Sequence, residues 1–389
     1  MVSKRSQKKL KKLGNWIGQL RAYPLFEIGR NATHSIRKIM KLPIAAALGN
    51  SSIEHVSSLE GRISADDFYY HANNKLTEVE VSKMIHRYCA EIVKMIVNLK
   101  RTNQFNIAID YTEDPYYGET ENPFVTGGKR KASTNYGFKW LTVALVNKEV
   151  RFVLFAYPIR KTDNADAPLV EKGLRAVWRL GVHILRALLD REFYNEDIIA
   201  MLKLLEIEFI IPSKKDEKFE RMLHAMIEQK KRDGIKPQFP FIFDGYQIGK
   251  ETVTQVVFEE INSNGEKEYH AYITNRKLSA IKEDPYAVQE DYSERWAIEN
   301  ANKYQDAFNI HTSCTNGIVR FFFFALTLLL HNFWVLVNFF TSGFGKMARL
   351  PLEIFKEMIM VLFGMAPMPR YKQTQRKLWV VVFRALLNV

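Results

Sequence analysis

Ile107-Ala108-Ile109-Asp110 is a short apolar run that closes on an acid, and Ala187-Leu188-Leu189-Asp190-Arg191 repeats the pattern further along the chain. Both runs are short and bounded, and read as buried strands. A third acid, Glu299, stands in Tyr292-Ser293-Glu294-Arg295-Trp296-Ala297-Ile298-Glu299. It lies downstream of Asp284-Pro285, where Asp as cap and Pro at the first helical position start a helix. Two carboxylates at strand ends and one on a helix suit the binding of paired divalent ions against a phosphodiester.

The segments around these acids predict a mixed α/β sheet. Phe105–Ile109, Tyr136–Val150 and Arg151–Ile159 read as strands, with Asn147-Lys148-Glu149 as a turn. A helix follows Pro168, with Leu169, Leu174, Val177 and Trp178 on its buried side. His183–Leu189 is the next strand, Asn195 caps a helix through Leu204, and Glu206–Pro212 is a strand again. This order brings the ends of the early strands together. Between residues 213 and 283 a charged stretch containing Lys230-Lys231-Arg232 precedes β-rich sequence. There Val253–Ile261 and Glu268–Thr274 flank the hairpin signal Asn262-Ser263-Asn264-Gly265. That region reads as an insertion.

Residues 1–102 read as helical. Thr77 and Glu80 form a capping box, Leu76 and Val81 a staple, and Val81, Met84, Ile85, Tyr88, Ile92, Ile96 and Leu99 recur at helical spacing. Lys83, Arg87, Lys94 and Lys100 add positive charge, so a DNA-binding domain and a plain packing domain both fit. Residues 318–340 approach the length of a membrane span, about 20 residues. His331, Asn332 and Asn338 interrupt them, which favours a buried helix over an anchor because polar groups in lipid are costly. Residues 341–389 read as a helical tail, with apolar runs and the basic cluster Arg370, Lys372, Arg376 and Lys377.

The 389 residues carry a net charge of +13 and a pI near 9.4. That excess points to an anionic partner, nucleic acid ahead of an acidic membrane surface. Cys89 and Cys314 are the two cysteines; they form no disulfide framework or zinc motif, and the expected compartment is reducing and cytoplasmic. The basic start, Lys4-Arg5 and Lys8 to Lys12, lacks the apolar region of a secretory signal.

Each acid also has an ordinary reading. A strand-end Asp is often a turn or cap residue, Glu299 can pair with Lys303 one turn on, and Asp114 in Glu113-Asp114-Pro115 competes with Asp110. Helical spacing places Tyr292, Arg295, Trp296, Glu299 and Lys303 on one face, able to hold a metal and grip phosphates beside it. Lys129, Arg130 and Lys131 are candidate backbone contacts from charge alone.

Three blocks in order then resemble one family. Asp110-Tyr111-Thr112 with Pro115-Tyr116-Tyr117-Gly118, Gly127-Gly128-Lys129-Arg130-Lys131 and Thr134-Asn135-Tyr136 resemble the first catalytic block of DDE transposases of prokaryotic insertion sequences, particularly those common in archaea. Leu189-Asp190-Arg191-Glu192-Phe193-Tyr194 resembles their second block, and Tyr292-x-x-Arg295-Trp296-x-Ile298-Glu299 their third. The resemblance implies a ribonuclease-H-like catalytic domain over about residues 103–340, with the β-rich insertion at 213–283. It implies Asp110, Asp190 and Glu299 as a triad for two Mg2+ ions, with Mn2+ as a substitute. Tyr292 and Arg295 would contact DNA near the cut, and Lys303 is a further candidate contact one turn before the position where many relatives carry Lys. The implied partners are the element's terminal inverted repeats and target DNA, engaged by a homodimer in the nucleoid, with no membrane. The sequence departs from the pattern twice: Glu192 stands where glycine is common, and Asp306 stands seven residues after Glu299, where many relatives carry Lys.

Overall fold

A computed structural model describes residues 4–28, 33–61, 63–131, 133–147, 151–295, 306–342 and 350–365. The amino-terminal part is helical: α1 (Lys4–Gly18), α2 (Ile36–Ile39), α3 (Lys41–Gly49), α4 (Ile53–Glu60), α5 (Ala65–Lys75) and α6 (Glu78–Lys100). The expected cap of α6 forms, with Thr77 Oγ1 accepting from Glu80 N at 3.2 Å, and the helix stops where Arg101 turns to φ 57°.

Then follow β1 (Gln104–Pro115), β2 (Val125–Lys131), β3 (Thr134–Val146), β4 (Arg151–Pro158), α7 (Asp166–Arg179), β5 (His183–Leu189), α8 (Glu196–Leu204) and β6 (Glu208–Pro212). The segment 213–283 supplies α9 (Glu217–Arg232), β7 (Phe241–Ile248), β8 (Glu251–Ile261), β9 (Lys267–Thr274) and α10 (Leu278–Glu283). After it come α11 (Tyr286–Ser293), α12 (Gly317–Ser342) and α13 (Leu352–Leu362). The strands join one nine-stranded sheet in the order β2-β3-β1-β5-β6-β9-β8-β7, with β4 also paired to β3. β1, β5 and β6 run parallel at its centre. The three insertion strands extend the sheet through the antiparallel β6–β9 pair.

Several expectations need correction. Asp110 does not end its strand. β1 continues to Pro115 because β3 pairs with it from Asn106↔Val146 to Pro115↔Gly137, so the ladder carries polar residues that an apolar run does not announce. The stretch Val125–Lys131 is a strand, as is Phe241–Ile248. The charged stretch after Ser213 is largely the helix α9. Asp216 caps it by accepting from Phe219 N at 2.9 Å, and Phe219 and Leu223 bury one side over β7 and β8. Asp284 does cap α11, accepting from Ala287 N at 3.2 Å, but the described helix closes at Ser293. Trp296, Glu299, Lys303, residues 148–150 and the basic cluster Arg370–Lys377 lie outside the described residues.

Alternation along β1 separates two faces. Tyr111 faces α7, its hydroxyl donating to Asp166 Oδ1 at 2.5 Å. On the other face Trp140, opposite Thr112 in the register, packs against Phe321 and Phe324 of α12. α12 is long and apolar enough to cross a membrane, yet 83% of its apolar window is buried in the protein. Its interrupting Asn332 is explained locally: Asn332 Nδ2 donates to Val153 O at 2.7 Å and Asn332 Oδ1 accepts from Val153 N at 3.1 Å. That places both of its polar ends on the irregularity where β4 slips against β3 between Val143 and Ala144, satisfying backbone groups that a buried bulge leaves over.

Candidate active site

The parallel register of β1 and β5 pairs Ile109 with Leu189. One residue beyond this pair, which sits at the usual strand spacing of about 5 Å, come Asp110 in β1 and Asp190 just after β5. Asp190 keeps extended backbone (φ −75°, ψ 166°), so alternation brings both side chains to the same face of the sheet. β3 continues past Asp110, its Thr142 hydroxyl donating to Asp110 O at 3.2 Å. β5 stops, and the chain turns away through a 3-10 turn, Arg191–Phe193, with Asp190 Oδ1 accepting from Arg191 N at 2.6 Å. A carboxylate inside one strand and another at the end of its neighbour therefore open onto the place where the central sheet loses a strand.

The carboxyl end of α11 lies over this face. Asn106, on the Asp110 side of β1, donates from Nδ2 to Glu294 Oε2 at 2.8 Å. Arg186, on the Asp190 side of β5, reaches Asp291 Oδ2 with Nη1 at 2.6 Å. Arg276 joins the same Asp291 at 2.5 Å and Glu208 of β6 at 3.0 Å. These contacts aim Arg295, whose Nη1 lies 4.0 Å from Asp110 Oδ2. Both partners are buried, Arg295 6% and Asp110 9% exposed, so their opposite charges interact in a poorly screening environment. Tyr292 is also buried. Its guanidinium neighbour Arg295 lies 5.3 Å from the ring centroid, and burial, with the Asp190 carboxylate adding to it, pushes the hydroxyl pKa up from its ordinary value. Tyr292 thus remains a neutral hydrogen-bonding group.

The structure brings together Asp110, Asp190, Tyr292 and Arg295. Lys129, Arg130 and Lys131 fall at the end of β2, across β3 from β1 in the strand order. Asp114 is engaged elsewhere, accepting from Arg320 Nη1 at 2.8 Å. Among the described residues no three His, Cys, Asp or Glu gather as a metal cluster; Asp110 and Asp190 supply two acids of the expected set, and Glu299 lies outside the described residues. A cleft of about 590 Å³ opens beside Asp190, walled by Tyr292 and Arg295 on one side and by Lys214, Lys215 and His270 on the other. The last three were missed in the sequence; the signal for Lys214 and Lys215 is a position just past the carboxyl end of β6, where ligands of open α/β sheets collect, while His270 lies within β9.

A family described as the transposase DDE domain matches residues 106–333. The fold is similar to that of piggyBac transposase in a cryo-EM structure of its synaptic complex with hairpin DNA: TM-score 0.54, 12% identity, covering 100% of this chain and 85% of that one. No curated protein matches the chain.

Proposed function

The chain belongs to the transposase DDE domain family, and on that premise we propose that it cuts DNA at the ends of a mobile element and joins the freed 3′ ends to target DNA. The observation that carries this reading is the β1–β5 register, which sets Asp110 beside Asp190 under Arg295. Paired carboxylates present the hard oxygen donors that Mg2+ prefers, and the opening at the end of β5 leaves room for a phosphate. Glu299 follows Arg295 by four residues, at most about 14 Å of extended chain, and completes the donor set. When bound, two Mg2+ ions, or Mn2+ in their place, supply charge neutralisation at the attacking and leaving oxygens.

The residues of the chain do the remaining work. Asp110 and Asp190 hold the reacting phosphate's surroundings rigid, because Asp110 lies within β1 and Asp190 directly follows β5 and caps the next turn. Arg295 offsets their negative charge and reaches toward the phosphate; Tyr292 offers a neutral hydroxyl beside it, and Lys303 and Lys129 to Lys131 contact the backbone. Water attacks phosphorus at the element end and the bond to O3′ breaks, leaving a 3′-hydroxyl and a 5′-phosphate. That hydroxyl attacks a target phosphodiester and displaces the target's own O3′. Handling two ends together calls for two copies of the chain. The helices before residue 103 and the residues after 340 add DNA contacts, and the element is read as a prokaryotic insertion sequence.

Incubating the full chain with Mg2+ and DNA that flanks its own gene tests this. Nicked ends and joined products are expected, and chelation with EDTA removes both. Hydrolysis without joining replaces the proposal with a nuclease on the same fold, and DNA left intact contradicts both.

A further inference from the structure

We propose that the cleft between β5 and the insertion is a phosphate-binding track, in which Lys214 and Lys215 carry a DNA strand away from the carboxylate pair. This rests on the function proposed above. Arg191, Lys214, Lys215 and Arg295 line the cleft with the acids Asp190 and Glu192. Asp110 faces Arg295 and Glu268 faces Lys215, which leaves Lys214 and Arg191 as the cleft's cations without an ion pair among the described residues. The cleft begins at Asp190, so a strand whose phosphate sits at the acids has its neighbouring phosphates within it.

The two lysines are presented rigidly. Just before them, Ser213 N donates to Ala271 O at 2.8 Å, and Gln255 Nε2 donates to Ser213 Oγ at 2.7 Å from the buried floor of the insertion. Just after them, Asp216 caps α9. Lys214-Lys215 is therefore a short bridge pinned at both ends, with both side chains exposed. Lys214 Nζ rests 5.5 Å from the centroid of Tyr194. Lys215 is 3.3 Å from Glu268, an exposed pair that salt and a competing phosphate readily open. His270 lies between Glu260 and Glu268 at 3.5 and 3.9 Å, and closes the far wall. Phosphate contacts of this kind position DNA without reading its sequence, which suits a strand passing through a site whose specificity is set elsewhere.

The test is the salt dependence of binding to a fluorescently labelled DNA duplex by the full chain and by a Lys214→Ala/Lys215→Ala variant. The slope of log affinity against log salt should fall by about 1.8, two contacts at about 0.9 each, with weaker binding on unrelated sequences alike. Arg179→Ala, on α7 at the opposite face, removes an exposed charge outside the cleft and should leave the slope within error. An unchanged slope in the double variant, or an equal loss per charge in Arg179→Ala, overturns the track while the proposed function stands. Failure of the unaltered chain to bind DNA overturns both. Matching circular dichroism melts establish that the variants fold.

Discussion

Glu192 follows Asp190-Arg191, yet its carboxylate turns to the face of β1 that Asp110 does not use. Its Oε2 lies 3.5 Å from Lys139 Nζ, and Lys139 stands opposite Glu113 in the register and 4.0 Å from the centroid of Tyr111. Tyr111 in turn stacks on Phe193 at 4.8 Å. The departure from glycine is thus accommodated by a cation on the far face, at the rim of the cleft. Glu192→Gln should cost at most about 1 kcal/mol of stability, as for a partly exposed pair, and change the nicking rate by less than about fivefold. Thermal melts and rates measured side by side check this. A rise of tenfold or more in rate would show that the carboxylate burdens the site instead.

α11 is held by its charges more than by its length. Asp291 receives Arg186 and Arg276 while Glu208 braces both arginines, and Asn106 holds Glu294. These contacts tie the helix to β1, β5 and β6, the strands that carry or flank the two aspartates. A double-mutant cycle with Asp291→Ala and Arg276→Ala should give a coupling of about 0.5–3 kcal/mol in chemical denaturation, as for neighbours in one network. Additive losses would show that the network does not act as a unit. The network was not legible in the sequence, because its members come from four separate segments that only the sheet order brings together. What could be read were elements with local signals: the capped α6, β5 between polar residues, the Asn-Gly hairpin of β8 and β9, and the capped start of α11. What was lost lacked such signals. α9 hides two buried residues, Phe219 and Leu223, in a strongly charged stretch, and the second half of β1 is polar because β3, not a hydrophobic face, sustains it. At the site, Asp110 and Asp190 stood out through the apolar runs before them. Lys214, Lys215 and Asn106 had no motif and needed the fold.

The described residues form one layered structure in which helices cover both faces of a sheet that runs through residues 213–283. Its tyrosines give that structure a shared alkaline limit. Tyr69, Tyr88, Tyr111, Tyr194 and Tyr292 all have pKa values raised by burial. An unfolded tyrosine releases its proton near pH 10, while the folded ones keep theirs. Their contribution is fully present below about pH 10 and is lost as pH climbs above it toward the folded values, because the unfolded state then binds fewer protons. Tm should therefore drop steeply between pH 9.5 and about 11, as the five buried tyrosines release their protons on unfolding. A Tm that stays level across that range would refute this. In α12, one of the buried polar residues, Asn332, is spent on the sheet at Val153. The central claim, that neighbouring strands bring two acids to one phosphate, is tested most directly by Mg2+-dependent nicking of element-end DNA by the unaltered chain and by Asp190→Asn. If Asp190 holds a metal as proposed, its loss should cost more than the roughly 10–100-fold typical of an outer partner, with DNA binding and melting temperature retained. Equal cleavage by the two proteins would contradict the account.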